Sequence, residues 1–205
     1  MYLDILHRHA RYREVDGDGL SALRFGGQFG DVEAKLRERV RREGVACSAA
    51  AAAQHFTAAI EREPGFARAH AGLSFTAFQS AYLGYDADRE ARAADARSLA
   101  DRAVALDPLD PFANLTMGRS YWLSGDIETS LGWFERSFRL SPSYAQGIYA
   151  HAWAETMLGR SGRARAELDN AMSLSPLDPF LYAMKGTRAL GYLSEEKIDE
   201  AVGWI

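Results

Sequence analysis

The sequence predicts an all-α protein assembled from successive antiparallel helix pairs, and three observations carry that prediction. Prolines return on a fixed interval: Pro108, Pro142 and Pro176 lie 34 residues apart. A whole phrase also returns, since Leu106-Asp-Pro-Leu-Asp-Pro-Phe112 reappears 68 residues later as Leu174-Ser-Pro-Leu-Asp-Pro-Phe180. Third, the chain is rich in alanine but holds only 6 prolines and 1 cysteine, a balance that favours helix over sheet. A period of this length marks a repeat array, in which each unit buries its apolar side against its neighbours.

Taken in chain order, the least regular part is residues 1–44, which show no repeat and mix Tyr2, Leu3, Ile5 and Leu6 with a dense charged stretch. They are expected to form an extension that caps the open end of the array. Within them Asp16-Gly-Asp-Gly19 reads as a turn, because the glutamate that closes a calcium loop is missing. Gly26-Gly-Gln-Phe-Gly30 lacks the lysine of a phosphate loop, and Lys35 to Arg42 reads as a short amphipathic helix with a solvated basic side. His7 and His9 carry no third ligand nearby.

The array itself is read over residues 45–205. Residues 45–66 supply a half or degenerate unit, with Ala52, Phe56, Ala59 and Pro64 as its second helix. Residues 67–110 form a unit with ten extra residues, which fit best as an enlarged turn around Tyr82 to Glu90. Residues 111–144 open with Asp110 as an N-cap and Pro111 at the first helical position, where its missing N–H costs nothing. Apolar residues at helical spacing run to Leu123, Ser124-Gly125-Asp126 breaks the helix, and a second helix runs from Ile127 to the stop at Ser141-Pro142. Residues 145–178 repeat this plan, with the break at Leu158-Gly159-Arg160 and the stop at Ser175-Pro176. Asp178-Pro179 then predicts another N-cap, and residues 179–205 form an incomplete last unit ending on Ala201, Val202, Trp204 and Ile205.

A 34-residue helix–turn–helix with small residues at fixed places resembles the tetratricopeptide repeat (TPR). Residues 111–144 carry Asn114, Met117-Gly118, Tyr121, Ser130, Phe134, Ser137 and Pro142 in its register. Residues 145–178 carry Ile148, His151-Ala152, Glu155, Ala164, Leu168, Ala171 and Pro176, and residues 67–110 carry His70, Leu73-Ser74, Ala77, Ala96, Ala100, Ala103 and Pro108. The departures are polar residues at apolar places: Asn114, His151, Glu155 and Lys185. The resemblance implies a right-handed superhelix whose first helices line a concave wall. The phrases Glu63-Pro-Gly-Phe-Ala-Arg-Ala-His-Ala-Gly-Leu73 and Leu174-Ser-Pro-Leu-Asp-Pro-Phe180 further resemble the TPR tails of bacterial class III adenylate/guanylate cyclases. Similar tails follow the winged-helix domain of some transcriptional regulators. That narrower likeness implies a regulatory module whose catalytic or DNA-binding domain lies outside this chain.

Charge and composition exclude several functions. Over 205 residues, 47% hydrophobic content is enough for a core, while a net charge of −4 and pI near 5.8 offer no general attraction to nucleic acid or anionic membrane. Cys47 alone makes no internal disulfide, and no Cys/His cluster has zinc spacing, so neither metal nor cofactor is expected. The low-polarity run from Val45 to Ala53 falls far short of the ~20 residues of a membrane-spanning helix. Met1 to Ala10 lacks the apolar block of a secretory signal, so the expected location is cytoplasmic. No nucleophile–base pair, paired carboxylate site or phosphate cradle emerges, so the expectation is a non-enzymatic scaffold.

Its candidate site follows from the register. One stripe along each first helix brings Phe75 and Phe78, then Leu115, Arg119 and Trp122, then Tyr149 and Trp153, into one groove, with Met157 at its edge. Aromatic anchors beside an arginine are what peptide-binding hot spots are made of. The expected partner is an apolar or aromatic-containing peptide, helix or linked domain of the same parent protein. A chaperone-type clamp on a terminal carboxylate is disfavoured, since the stripe offers Arg119 as its one main charge. His151 and Glu155, four apart on one helical face, are expected to form a hydrogen-bonded pair rather than a metal site. Finally, either the chain is a fragment or its last helix docks on another subunit to form a homo-oligomer.

Overall fold

In the computed structural model the described residues are 49–204, and the readings on His7, His9, residues 16–19, 26–30 and 35–42, and Cys47 lie outside them. Among the described residues every regular element is helical. Helix α1 spans residues 49–62. The remainder form four hairpins: α2 (Ala67–Leu83) with α3 (Arg89–Leu106), α4 (Pro111–Leu123) with α5 (Ile127–Leu140), α6 (Ala145–Met157) with α7 (Ser161–Leu174), and α8 (Leu181–Leu193) with α9 (Ile198–Val202). Each second helix packs on its own first helix and, where another hairpin follows, on the next one along; the first helices α2, α4, α6 and α8 touch in succession. This is a TPR-type helical solenoid.

Three rows of residues explain why the helices come together at one interval. Ala96, Ser130 and Ala164 form one row on the second helices, Ala100, Phe134 and Leu168 the next, and Ala103, Ser137 and Ala171 the third; all nine are fully buried. Two rows are small throughout, so backbones approach closely there, and in the middle row Phe134 and Leu168 supply bulk. The Phe134 ring fills the space over Gly118, where a Cβ would lie 2.3 Å from the ring. Phe56 of α1 does the same over Gly72 of α2. Buried serines satisfy their hydroxyls locally: Ser137 Oγ donates to the Pro111 carbonyl at 2.7 Å. Ser74 Oγ donates to the Ala96 carbonyl, also at 2.7 Å.

The turns follow the expected chemistry with two corrections. Asp110 caps α4, its Oδ1 accepting from the backbone N–H of Phe112 (2.7 Å) and Ala113 (3.0 Å). Gly125 and Gly159 both stand in the left-handed region at φ 77°. The ten extra residues of the first hairpin, however, do not make an enlarged turn. Helix α2 has 17 residues against 13 in α4, and α3 has 18 against 14 in α5. Each helix therefore gains about one turn, and only the remainder enters the connection at 84–88. The alanine-rich sequence there propagates helix better than it makes loop. The second correction concerns Asp178, which does not cap α8. Its Oδ1 accepts from Phe180 N and from the Gln146 amide, both at 2.8 Å, and the helix begins later, at Leu181.

The last hairpin carries one strained position. Where the two preceding hairpins place glycine, Glu196 adopts φ 61°, a left-handed conformation that a Cβ disfavours. Glu196→Gly is expected to raise stability by about 1 kcal/mol, read as a shift in the urea midpoint at unchanged slope. The terminal segment is pinned by Arg188, whose guanidinium lies 4.1 Å from the Trp204 ring centroid and pairs with Asp169.

Candidate protein-binding groove

The repeat interval brings all eight candidate residues onto the first helices α2, α4 and α6, and most of their side chains meet. Trp122 and Trp153 lie 4.0 Å apart between ring centroids, and Phe78 lies 5.8 Å from Trp122. Phe75 and Phe78 are stacked at 6.2 Å. Their exposure is uneven. Phe78, Leu115, Arg119, Tyr149 and Trp153 are buried, Phe75 and Trp122 are half-buried, and Met157 stands at the edge, 40% exposed. The wall is thus a packed aromatic layer with an accessible rim.

Further rings outside the stripe join the layer, among them Phe112 at 6.0 Å from Phe75 and Phe134 at 5.3 Å from Trp122. Tyr82 stacks on Phe78 at 5.3 Å and comes from the added turn of α2, so the lengthened hairpin extends the aromatic layer. Phe180, from the turn before α8, reaches 6.5 Å from Phe75. Phe180 was detectable, because Arg68, Phe112, Gln146 and Phe180 occupy equivalent places one helical turn before the stripe began.

Arg119 sits in the middle of this layer. Its guanidinium carbon is 4.7 Å from the Phe75 centroid, 5.4 Å from Phe78, and 5.8 Å from both Trp122 and Phe180. Four ring faces attract one cation, which offsets part of the cost of burying it. Burial pushes its pKa down, with the surrounding tyrosines and Asp178 opposing the shift. Among the described residues no carboxylate pairs with it directly: Nη2 donates to Gln146 Oε1 at 3.1 Å, and Gln146 relays to Asp178. Arg119, the stripe's one main charge, is thus buried among the rings it holds together.

Three of the four polar residues at apolar places find partners, and Lys185 is exposed. Asn114 Nδ2 donates to the carbonyls of Asp110 (2.8 Å) and Pro108 (3.1 Å), tying α4 to the turn before it. His151 Nδ1 is hydrogen-bonded to Glu167 Oε2 at 2.7 Å, whereas Glu155 lies 3.9 Å away. The expected His151–Glu155 hydrogen bond is replaced by this contact across to α7. Glu155 faces Arg163 at 3.4 Å and Arg160 at 3.5 Å instead.

No helix among the described residues is long and apolar enough to cross a membrane. No family model matches the chain, and no curated protein does. Solved structures do. The chain is similar to the crystal structure of TTC0263, a thermophilic TPR protein of Thermus thermophilus, at 21% identity and a TM-score of 0.61, over 85% of this chain and 84% of that one. It is also similar to two crystal structures of MamA, at 18% and 17% identity and a TM-score of 0.53, over 85% of this chain and 90% or 86% of theirs. At these identities the likeness establishes the fold: the chain is built as TPR proteins are.

Proposed function

We propose that the chain is a non-enzymatic interaction module that takes up a peptide, helix or linked domain along its aromatic concave wall. The observation that supports this reading is the Phe75–Phe78–Trp122–Trp153 layer, whose rim is open at Met157 and half-open at Phe75 and Trp122. Rigid aromatic surface beside accessible aliphatic edge is the composition of binding hot spots. The buried rings preorganise the wall, and the rim residues are the ones a partner touches. Pull-down with the full chain, identification by mass spectrometry and titration of the purified partner provide the test. Met157→Asp is expected to weaken that binding at least tenfold. Gly132→Glu, on the exposed side of α5 with no atom near its added Cβ, is expected to leave it unchanged. Equal binding by all three proteins removes the groove from consideration.

A second surface supports self-association. On the last hairpin Ile198 and Val202 are about two-thirds exposed, and Leu193 is 38% exposed. Covering this face with another copy, or with a linked domain, would remove apolar area from water. Light scattering is expected to show a dimer that Val202→Asp converts to monomer; a monomer in both proteins rejects the reading for this chain.

A further inference from the structure

A cavity of about 390 Å³ lies between the start of α2 and the junction of the second and third hairpins, lined by Arg68, Pro111, Phe112, Ser141 and Tyr144. Its size falls in the range of small-ligand sites, roughly 300–1,000 Å³. Pro111 and the rings of Phe112 and Tyr144 supply apolar walls. Arg68, Ser141 and Tyr144 supply hydrogen-bond donors, and no acidic residue belongs to the lining.

Arg68 is held in place from behind. Its Nε donates to Asp110 Oδ2 at 2.5 Å, and that carboxylate is buried and already fixed by the Phe112 and Ala113 amides. The pairing raises the Arg68 pKa, with a smaller contribution from Asp107, so the guanidinium stays charged. A planar guanidinium bound through Nε still carries Nη donors in a fixed fork. Among the described residues those Nη groups have no partner, and the Arg68 side chain is 63% exposed. Burial pushes the Tyr144 hydroxyl up to about 12, so it remains a protonated donor at ordinary pH.

We infer that this cavity binds a carboxylate borne on an apolar body, the acid on the Nη groups of Arg68 and the body against Phe112 and Tyr144. Donor geometry selects the occupant: the Nη fork of Arg68, its charge shared with Asp110 behind it, and hydroxyl donors over apolar walls. The inference also rests on the groove reading where it names the source, an acidic side chain of the partner segment. Phe112 joins the two places, since its ring lies 6.0 Å from Phe75 of the aromatic wall. The site differs from a clamp of several cations on a chain terminus, because one anchored arginine and a hydrophobic seat define it.

The test is titration of the full chain with 3-phenylpropionate, followed by NMR of the arginine side chains and of Tyr144. Saturable binding that shifts Arg68 and Tyr144 is expected. Neutral 3-phenylpropanamide is expected to bind at least tenfold more weakly. Arg68→Gln is expected to weaken the acid at least tenfold, and Tyr144→Phe a few-fold, with circular dichroism confirming that each variant is folded. Arg68→Lys keeps the charge but not the fork, and an intermediate loss is expected. Equal binding of acid and amide, or acid binding that survives Arg68→Gln, overturns the assignment. The groove reading is judged separately. A partner lost on Met157→Asp but retained on Arg68→Gln sinks only the carboxylate site. Arg68-dependent phenylpropionate binding beside Met157-independent capture sinks only the groove.

Discussion

Phe134→Ala is expected to destabilise the protein by about 4 kcal/mol, the largest effect of any single truncation considered. The ring is fully buried in the middle row of the second helices. It fills the space over Gly118 and meets Trp122 edge-on at 5.3 Å. Glycine cannot grow into the vacated volume, and α4 and α5 are held in place by Ser137 bonded to the Pro111 carbonyl, so collapse is limited. The cost is therefore lost transfer free energy plus a persistent cavity. Denaturant unfolding of both proteins checks the figure, and a change below about 1.5 kcal/mol would show that the hairpin closes over the gap.

Trp153→Ala is expected to cost roughly 3 to 4 kcal/mol, because Trp153 is 9% exposed and packs on Trp122 at 4.0 Å within the main core. Trp122→Ala is expected to cost less, since that indole is half-buried. The comparison has a practical bearing on partner binding. Removing either tryptophan weakens the wall as well as the contact, so the rim residue Met157 separates recognition from folding more cleanly. Thermal unfolding of the two variants, side by side, reads the difference directly.

The repeat was visible because its causes are local and periodic. Proline stops a helix wherever it occurs in the register, glycine supplies φ 77° at both Gly125 and Gly159, and a small residue is required wherever backbones nearly touch, as at Ala103, Ser137 and Ala171. That the candidate residues share the first helices was legible for the same reason, since an interval carries a stripe from one hairpin to the next. The misses have a different origin. Sequence spacing says that residues 67–110 are longer, but whether the excess makes loop or helix depends on pairing: α2 and α3 extend together, each giving the other a packing surface. Asp178 looked like Asp110, yet the Gln146 amide, contributed by another hairpin, shares its carboxylate. Likewise the burial of Arg119 depends on Phe75 and Phe180, which are far from it in sequence. Chemistry that is local or repeats with the interval was readable, and contacts set by unlike residues of different hairpins were not.

The contact between Phe75 and Phe180 gives the array a clasp. A chain of units that touch only their neighbours can fray from either end, one unit at a time. Here a ring from the first hairpin leans on a ring ahead of the last, a contact that skips two units and couples the loosening of one to the other.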